Sequence, residues 1–279
     1  MSGIHIVTDS GSDITPAAAV ELGVTVVPLK IRFGDDEFRD GVELSVEEFY
    51  AKMAELPGLP STAAPAPGEF IEAFLAAKDA GATGVVCIDL AGDMSATIDA
   101  ARNAAAEVAD RIEVRVIDSE TVSGGLYSLV KRAAEAAAAG KSLDDIEAMV
   151  RDRAARTTIF GSFDTLENLK MGGRIGGAQA FLGTVLQIKP IIEIRAGAVH
   201  EAGKQRTRRK ALAWIIAKLV ASGDVEDLLL CEALAPDVEL FRGMFPEETN
   251  YGELRLGPTI GTHGGRGTMG VSFVLPAAS

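Results

Sequence analysis

Short β-branched runs alternate with longer, alanine-rich segments over residues 4–156, and this alternation constrains the fold more than any other feature of the chain. Strand, helix and strand in succession join parallel neighbours through a crossover, so the expected unit is βαβ and the expected sheet mostly parallel. A run at 4–8 precedes the polar loop from Asp9 to Asp13, after which Thr15 can cap a helix that Pro16 opens and Gly23 ends. A strand is expected at 24–29, a polar, turn-rich stretch at 34–41, and a helix from Ser45 whose Ser-x-x-Glu pattern makes a capping box with Glu48. Beyond a loop rich in Pro, Ala and Gly come helix 68–80, strand 84–90, helix 95–109, strand 113–117 and helices 125–139 and 143–156.

After Thr157 the rhythm breaks. Strand-like TTIFGSF, an apolar glycine-rich middle, a hairpin around Ala196 and Gly197, a basic helix ending near Ala221 and three further strand-like runs predict a mixed arrangement. The fold class is therefore α/β: an N-terminal mostly parallel domain (1–156) and a C-terminal mixed α/β domain (157–279). A length of 279 residues accommodates two such units.

Composition narrows the function classes. Hydrophobic residues make up 47% and charged residues 24%, the balance of a folded globular protein. Cys87 and Cys231 sit in apolar runs and read as buried free thiols suited to a reducing cytoplasm. No window holds 18 uninterrupted apolar residues and the first ten residues lack a basic stretch followed by an apolar one, so neither export nor membrane spanning is expected. The net charge of −13 opposes binding to nucleic acid or an anionic membrane.

That average hides a local inversion. Lys170, Arg174, Lys189, Arg195, Lys204, Arg206, Arg208, Arg209 and Lys210 face only Glu193 and Glu201 across 41 residues, a local charge of +7. Part of this is a solvated helix start, but a basic cluster in an acidic protein suits a phosphate-bearing partner or an acidic protein surface.

Three strands of the first half end in Asp followed by hydroxyl residues, at Asp9, Asp89 and Asp118. In a doubly wound sheet such ends lie along one crevice, which favours a ligand site there over three independent helix caps. Signatures of dinucleotide, P-loop and zinc chemistry and of the nucleophile elbow are all missing from the sequence. His5 reads as structural and His200 as solvent-exposed. His263 stands apart, in LGPTIGTHGGRGTMG, where six glycines around an imidazole permit close backbone approach and unusual φ values, the usual preparation for a bound anion; the competing reading is a flexible turn with a bystander His. The segment between Arg174 and Lys189, with Phe181, Leu182, Val185, Leu186 and Ile188 among small residues, can line a core or a cavity.

Taken in order, TDSGSD, LPSTAAPAPGEF, DMSATIDAA, VIDSETVSGGL, LENLKMGGRIGG, KPII, KQRTRRKA and GPTIGTHGGRG resemble the DegV family across essentially the whole chain. The resemblance implies a two-domain α/β protein that buries a long-chain fatty acid between its domains, with no cofactor of its own. It further implies a monomer in which hydroxyls and a His hold the carboxylate, while a kinase partner carries ATP and makes the acyl phosphate. The family's TSQP threonine falls on Thr62, the second serine of its SGLSGTY motif on Ser95, and the histidine of its GTHxGPG motif on His263. Its GGRI arginine falls on Arg174, which with Arg206 would face the kinase. The chain departs from the family at Ala63-Ala64-Pro65 and at AGDMSAT, where Asp93 adds a carboxylate near the expected anion site. The competing reading is a lipid-ester hydrolase with Ser95 as nucleophile, His263 as base and Asp9 or Asp118 as orienting acid. No nucleophile elbow surrounds Ser95, which favours the carrier.

Overall fold

The computed structural model describes residues 3–55, 58–183 and 188–277. Its first half runs β1 (Ile4–Asp9), α1 (Pro16–Leu22), β2 (Val24–Val27), β3 (Lys30–Phe33), β4 (Asp36–Arg39), α2 (Val46–Glu55) and β5 (Ser61–Ala63). It continues α3 (Pro67–Asp79), β6 (Gly84–Asp89), α4 (Thr97–Glu107), β7 (Glu113–Asp118), α5 (Ser123–Ala138) and α6 (Leu143–Arg156). The second half comprises β8 (Thr157–Ser162), α7 (Glu167–Met171), a 3₁₀ segment (Gly176–Gly183), β9 (Lys189–Arg195), β10 (Ala198–Gln205) and α8 (Arg208–Ala221). It closes with β11 (Glu226–Glu232), α9 (Val238–Arg242), β12 (Gly252–Arg255), α10 (Pro258–Gly264) and β13 (Met269–Val274).

Strands β2, β1, β6 and β7 lie side by side, all parallel, as the βαβ rhythm requires. Successive residues of each strand serve opposite faces: Ile6, Val86 and Ile88 pack under α5 and α6, whereas Val7, Val85 and Cys87 pack under Phe70 and Phe74 of α3 and Ala101 of α4. The caps lie where the sequence puts them. Thr15 Oγ1 accepts the Ala18 amide, Gly23 leaves α1 at φ 67°, and Ser45 and Glu48 close the capping box.

The change of sheet falls between Arg156 and Thr157. Six strands in the order β10-β9-β8-β13-β11-β12 form a mixed sheet, antiparallel except where β11 meets β12. Helix α8 covers one face, with Leu212, Ile215 and Leu219 against Phe160, Val271 and Phe273. The β9–β10 hairpin turns at Ala196 (φ 48°) and Gly197 (φ 76°), as expected from the sequence.

Helix α5 belongs to both sheets. It packs on β1 and β6 and also on β8, β11 and β13. A Cβ on Gly124 would stand 2.8 Å from Cys231 Sγ, so the glycine sets how closely helix and mixed sheet approach. Arg132 and Arg153, on α5 and α6, both bind Asp227 at the start of β11 and fasten the halves together. Cys87 and Cys231 are both buried and free.

The polar stretch read as turn-rich, 34–41, is instead a β-hairpin. β3 pairs with both β4 and β5 in a separate antiparallel sheet, helped by Arg32 Nε donating to Glu37 at 2.6 Å. Among the described residues no helix is long and apolar enough to cross a membrane.

Candidate binding cavity

An apolar cavity lies between the strand-end loops of the parallel sheet and the mixed sheet. Leu29, Leu90 and Val122 line it from the first half, and Ile159, Ile192, Ile194, Val199 and Leu256 from the second. Its polar lining is sparse and includes Thr62, Ser95, Arg174 and His263.

These four side chains come from four separate elements. β5 pairs Thr62 with Ile31 of β3, and Thr62 Oγ1 lies 3.0 Å from His263 Nε2. His263 occupies the last turn of α10 and packs so closely on Gly172 that a Cβ there would be 2.4 Å from Nδ1. Just beyond Gly172, Arg174 donates from Nε to Met94 O at 3.0 Å and from Nη1 to Gly172 O at 2.5 Å. Ser95 follows Met94, and its hydroxyl lies 2.9 Å from Thr97 Oγ1 at the start of α4. The chain of contacts Thr62, His263, Gly172, Arg174, Met94, Ser95 thus joins all four in one wall.

Burial, reinforced by the Arg174 charge, holds the His263 imidazole down at about 4. The ring is therefore neutral near pH 7 and contributes hydrogen bonds without charge. Its Nδ1 is buried without a partner, and Nε2 shares one hydrogen bond with the Thr62 hydroxyl, the ring tautomer deciding which of the two donates.

Several sequence expectations are corrected. The glycine-rich segment around His263 is helical from Pro258 to Gly264, not a flexible turn. Gly261 is needed because a Cβ would come within 2.5 Å of Tyr50 Oη, and Gly270 because one would meet Phe160 O. The strand-end aspartates do sit side by side, but they serve the loops. Asp9 accepts from the Gly11 and Leu90 amides at 2.7 and 2.8 Å, and Asp118 from the Gly92 and Glu120 amides. Burial raises both Asp9 and Asp89, and the neighbouring Asp9 charge raises Asp89 further. The carboxylates thereby hold in place the loops that carry Leu90, Ser95 and Val122. Asp93 is exposed and approaches the hairpin tip at Gly197, away from the cavity lining.

The hydrolase constellation is not assembled. His263 Nε2 is engaged by Thr62, Ser95 Oγ by Thr97, and Asp9 and Asp118 by loop amides. His5 bonds Thr25 at 2.8 Å and His200 is half-buried beside Arg195 O, so only His263 reaches the cavity.

Arg174 stands in the cavity wall, whereas Arg206 is exposed at the start of α8 and lines no part of the cavity. Within the basic cluster, Lys170, Lys189, Arg195 and Arg208 are ion-paired. Among the described residues Lys204, Arg206, Arg209 and Lys210 are exposed and form no ion pair. Phe181 is buried with Phe163 and Leu169, and Ile188 packs against that cluster. The Leu182 side chain and residues Val185 and Leu186 lie outside the described residues. Sequence reasoning missed Thr259 and Cys231 as lining residues; strand alternation around Cys231 was the available signal.

Residues 3–275 match the DegV family, described as a family of uncharacterised proteins. A DegV domain-containing protein of Deinococcus radiodurans is 36% identical over 285 residues, covering 97% of this chain and 98% of that one. Among solved structures, a fatty-acid-binding DegV family protein from Thermus thermophilus superposes with a TM-score of 0.86 at 33% identity, covering 98% and 99% of the two chains. DegV of Bacillus subtilis, described as a fatty acid binding protein, superposes with a TM-score of 0.86 at 26% identity, covering 99% and 100%. With its parallel sheet, its mixed sheet and the motifs between them matched over nearly their full length, the chain belongs to the DegV family.

Proposed function

We propose that this protein is a non-enzymatic carrier that buries a long-chain fatty acid in the cavity between its two halves (1–156 and 157–279) and presents the carboxylate at the Thr62, Ser95 and His263 wall. One observation carries this reading: an apolar cavity whose few polar groups include hydroxyls and a neutral imidazole contiguous at one wall. Burying about sixteen methylenes at about 0.8 kcal/mol each gives a gross gain of about 13 kcal/mol, which exceeds the ordering costs of binding. The head group then supplies orientation more than affinity. The fatty-acid-binding relatives from Thermus thermophilus and Bacillus subtilis support the same ligand class.

Native mass spectrometry of the purified protein tests this. A retained mass in the long-chain acid range, lost on delipidation and regained on adding palmitate, is the expected result. A cavity that stays empty when palmitate is added, together with ester hydrolysis that Ser95→Ala abolishes, would replace the carrier by the hydrolase.

The carrier serves a cytoplasmic kinase that phosphorylates the presented carboxylate, and the unpaired cations near the start of α8 are its docking surface. Arg206 is the better probe of that surface, because Arg174 also ties the cavity wall together through Met94 O and Gly172 O. Arg206→Ala is expected to retain bound fatty acid by mass spectrometry while ATP-dependent acyl-phosphate formation slows roughly tenfold, since a lost interfacial charge contact weakens association. Equal rates for the variant and the parent protein would remove Arg206 from the docking surface.

A further inference from the structure

The helix that delivers His263 is a poor helix by its own sequence. α10 spans seven residues, Pro-Thr-Ile-Gly-Thr-His-Gly, and two of them are glycine. Interior glycines disfavour a helix relative to alanine, and isolated helices far longer than this are marginal in water. Its geometry must come from outside. Two carboxyls remote in sequence meet its N-terminus. Asp40, just after β4, accepts the Thr259 amide at 3.1 Å and also the Thr259 hydroxyl. Asp13, from the loop after β1, accepts the Gly257 amide at 2.9 Å and the Ser123 hydroxyl at 2.6 Å. Both carboxyls are buried, at 5% and 7% exposure, so neither bond is diluted by water. At the other end Asn168 Nδ2 donates to Thr262 O at 3.0 Å, and Tyr50 Oη donates to Leu256 O just ahead of the helix.

We propose that Asp40, with Asp13 beside it, is a positioning residue for the head-group site: by gripping Thr259 and Gly257 it fixes the depth and rotation of α10, and hence the His263–Thr62 pair one helical turn away. Thr259 itself lines the cavity, so the grip connects directly to the ligand wall. This role rests on the carrier reading, because it is the ligand carboxylate that the Thr62 hydroxyl is being aimed at. Asp40 lines no part of the cavity and acts through α10.

The test compares palmitate with its methyl ester, which keeps the chain and loses the charge. Asp40→Ala is expected to weaken palmitate roughly tenfold or more while weakening the ester less than about threefold, because a misaimed donor loses most against a charged acceptor. Asp40→Asn, whose amide oxygen can still accept from Thr259, is expected to restore most of the palmitate affinity. The His263 ring carbon-bound proton signals should move in Asp40→Ala and return in Asp40→Asn. If Asp40→Ala does not fold, Thr259→Val removes only the hydroxyl donor and should produce the same acid-selective loss. Equal losses for acid and ester, or unchanged palmitate affinity with unmoved His263 signals, would overturn the positioning role alone. A parent protein that binds neither probe would overturn it together with the carrier reading.

Discussion

A chain carrying Thr62→Val and Ser95→Ala together is expected to bind palmitate about 10²- to 10⁴-fold more weakly than the parent protein, at an essentially unchanged melting temperature. Hydrogen bonds to charged groups contribute about 1.5–3 kcal/mol each, so losing two removes about 3–6 kcal/mol. The size of the effect follows from what else is at hand for a buried carboxylate. Arg174 already donates Nε and Nη1 to backbone carbonyls, and His263 is neutral, with a pKa lowered to about 4 by burial and by the Arg174 charge. In the proposed carrier the two hydroxyls are the neutral donors that orient the head group. Among the described residues the Ser95 hydroxyl bonds only its neighbour Thr97 and the Thr62 hydroxyl only His263, so neither substitution opens a cavity in the core. Isothermal titration with palmitate and with methyl palmitate checks the claim: the ester should lose less than about tenfold, because it offers no charge to stabilise. A double variant that binds palmitate as tightly as the parent, or loses the ester equally, would show that the carboxylate lies elsewhere.

The parallel sheet was legible because its signals are local. Thr15, Pro16 and Gly23 bound α1 within eight residues, and Ser142 caps α6 through the Asp145 amide. The small β3–β4–β5 sheet was not, because its four-residue strands carry charges on both sides of the hairpin. Asp36, Glu37 and Arg39 read as solvent-facing turn until Arg32 and Lys30 are seen opposite Glu37. That sheet matters to function, since β5 carries Thr62. Helix α10 was hidden for a related reason: its glycines argue against a helix unless the remote caps Asp40 and Asp13 are known. The strand-end aspartates were placed correctly and their role misread, because sequence shows that three carboxyls share an edge but not that loop amides already occupy Asp9 and Asp118. What escaped the sequence was long-range satisfaction of polar groups; Thr62, Ser95 and His263 were visible in their motifs, whereas Thr259, held by the remote Asp40, was not.

Gly270→Ala is expected to cost the fold about 3 kcal/mol or more, and the melting temperature should fall by roughly 10 °C at the few degrees per kcal/mol usual for a chain of this size. A Cβ at this position would stand 2.1 Å from Phe160 O and 2.9 Å from Gly161 Cα, both backbone atoms of the neighbouring strand β8. No rotamer change relieves a clash with backbone, so β8 and β13 would have to separate at the middle of the mixed sheet. Gly270 pairs directly with Gly161, and both line the cavity. Facing glycines there leave a slot that two ordinary side chains would fill, so the same pair that makes the sheet intolerant of a methyl group also makes room for an acyl chain. Gly68 provides the contrast. It is exposed in the first turn of α3, a Cβ there would meet nothing within 4 Å, and its φ is not positive, so Gly68→Ala should leave stability unchanged or raise it by up to about 1 kcal/mol. Thermal unfolding followed by circular dichroism on lipid-free protein separates the two. Should Gly270→Ala melt within about 2 °C of the parent, β13 must be able to shift on β8, and the cavity would then be wider and more adaptable than the close approach of these two strands implies.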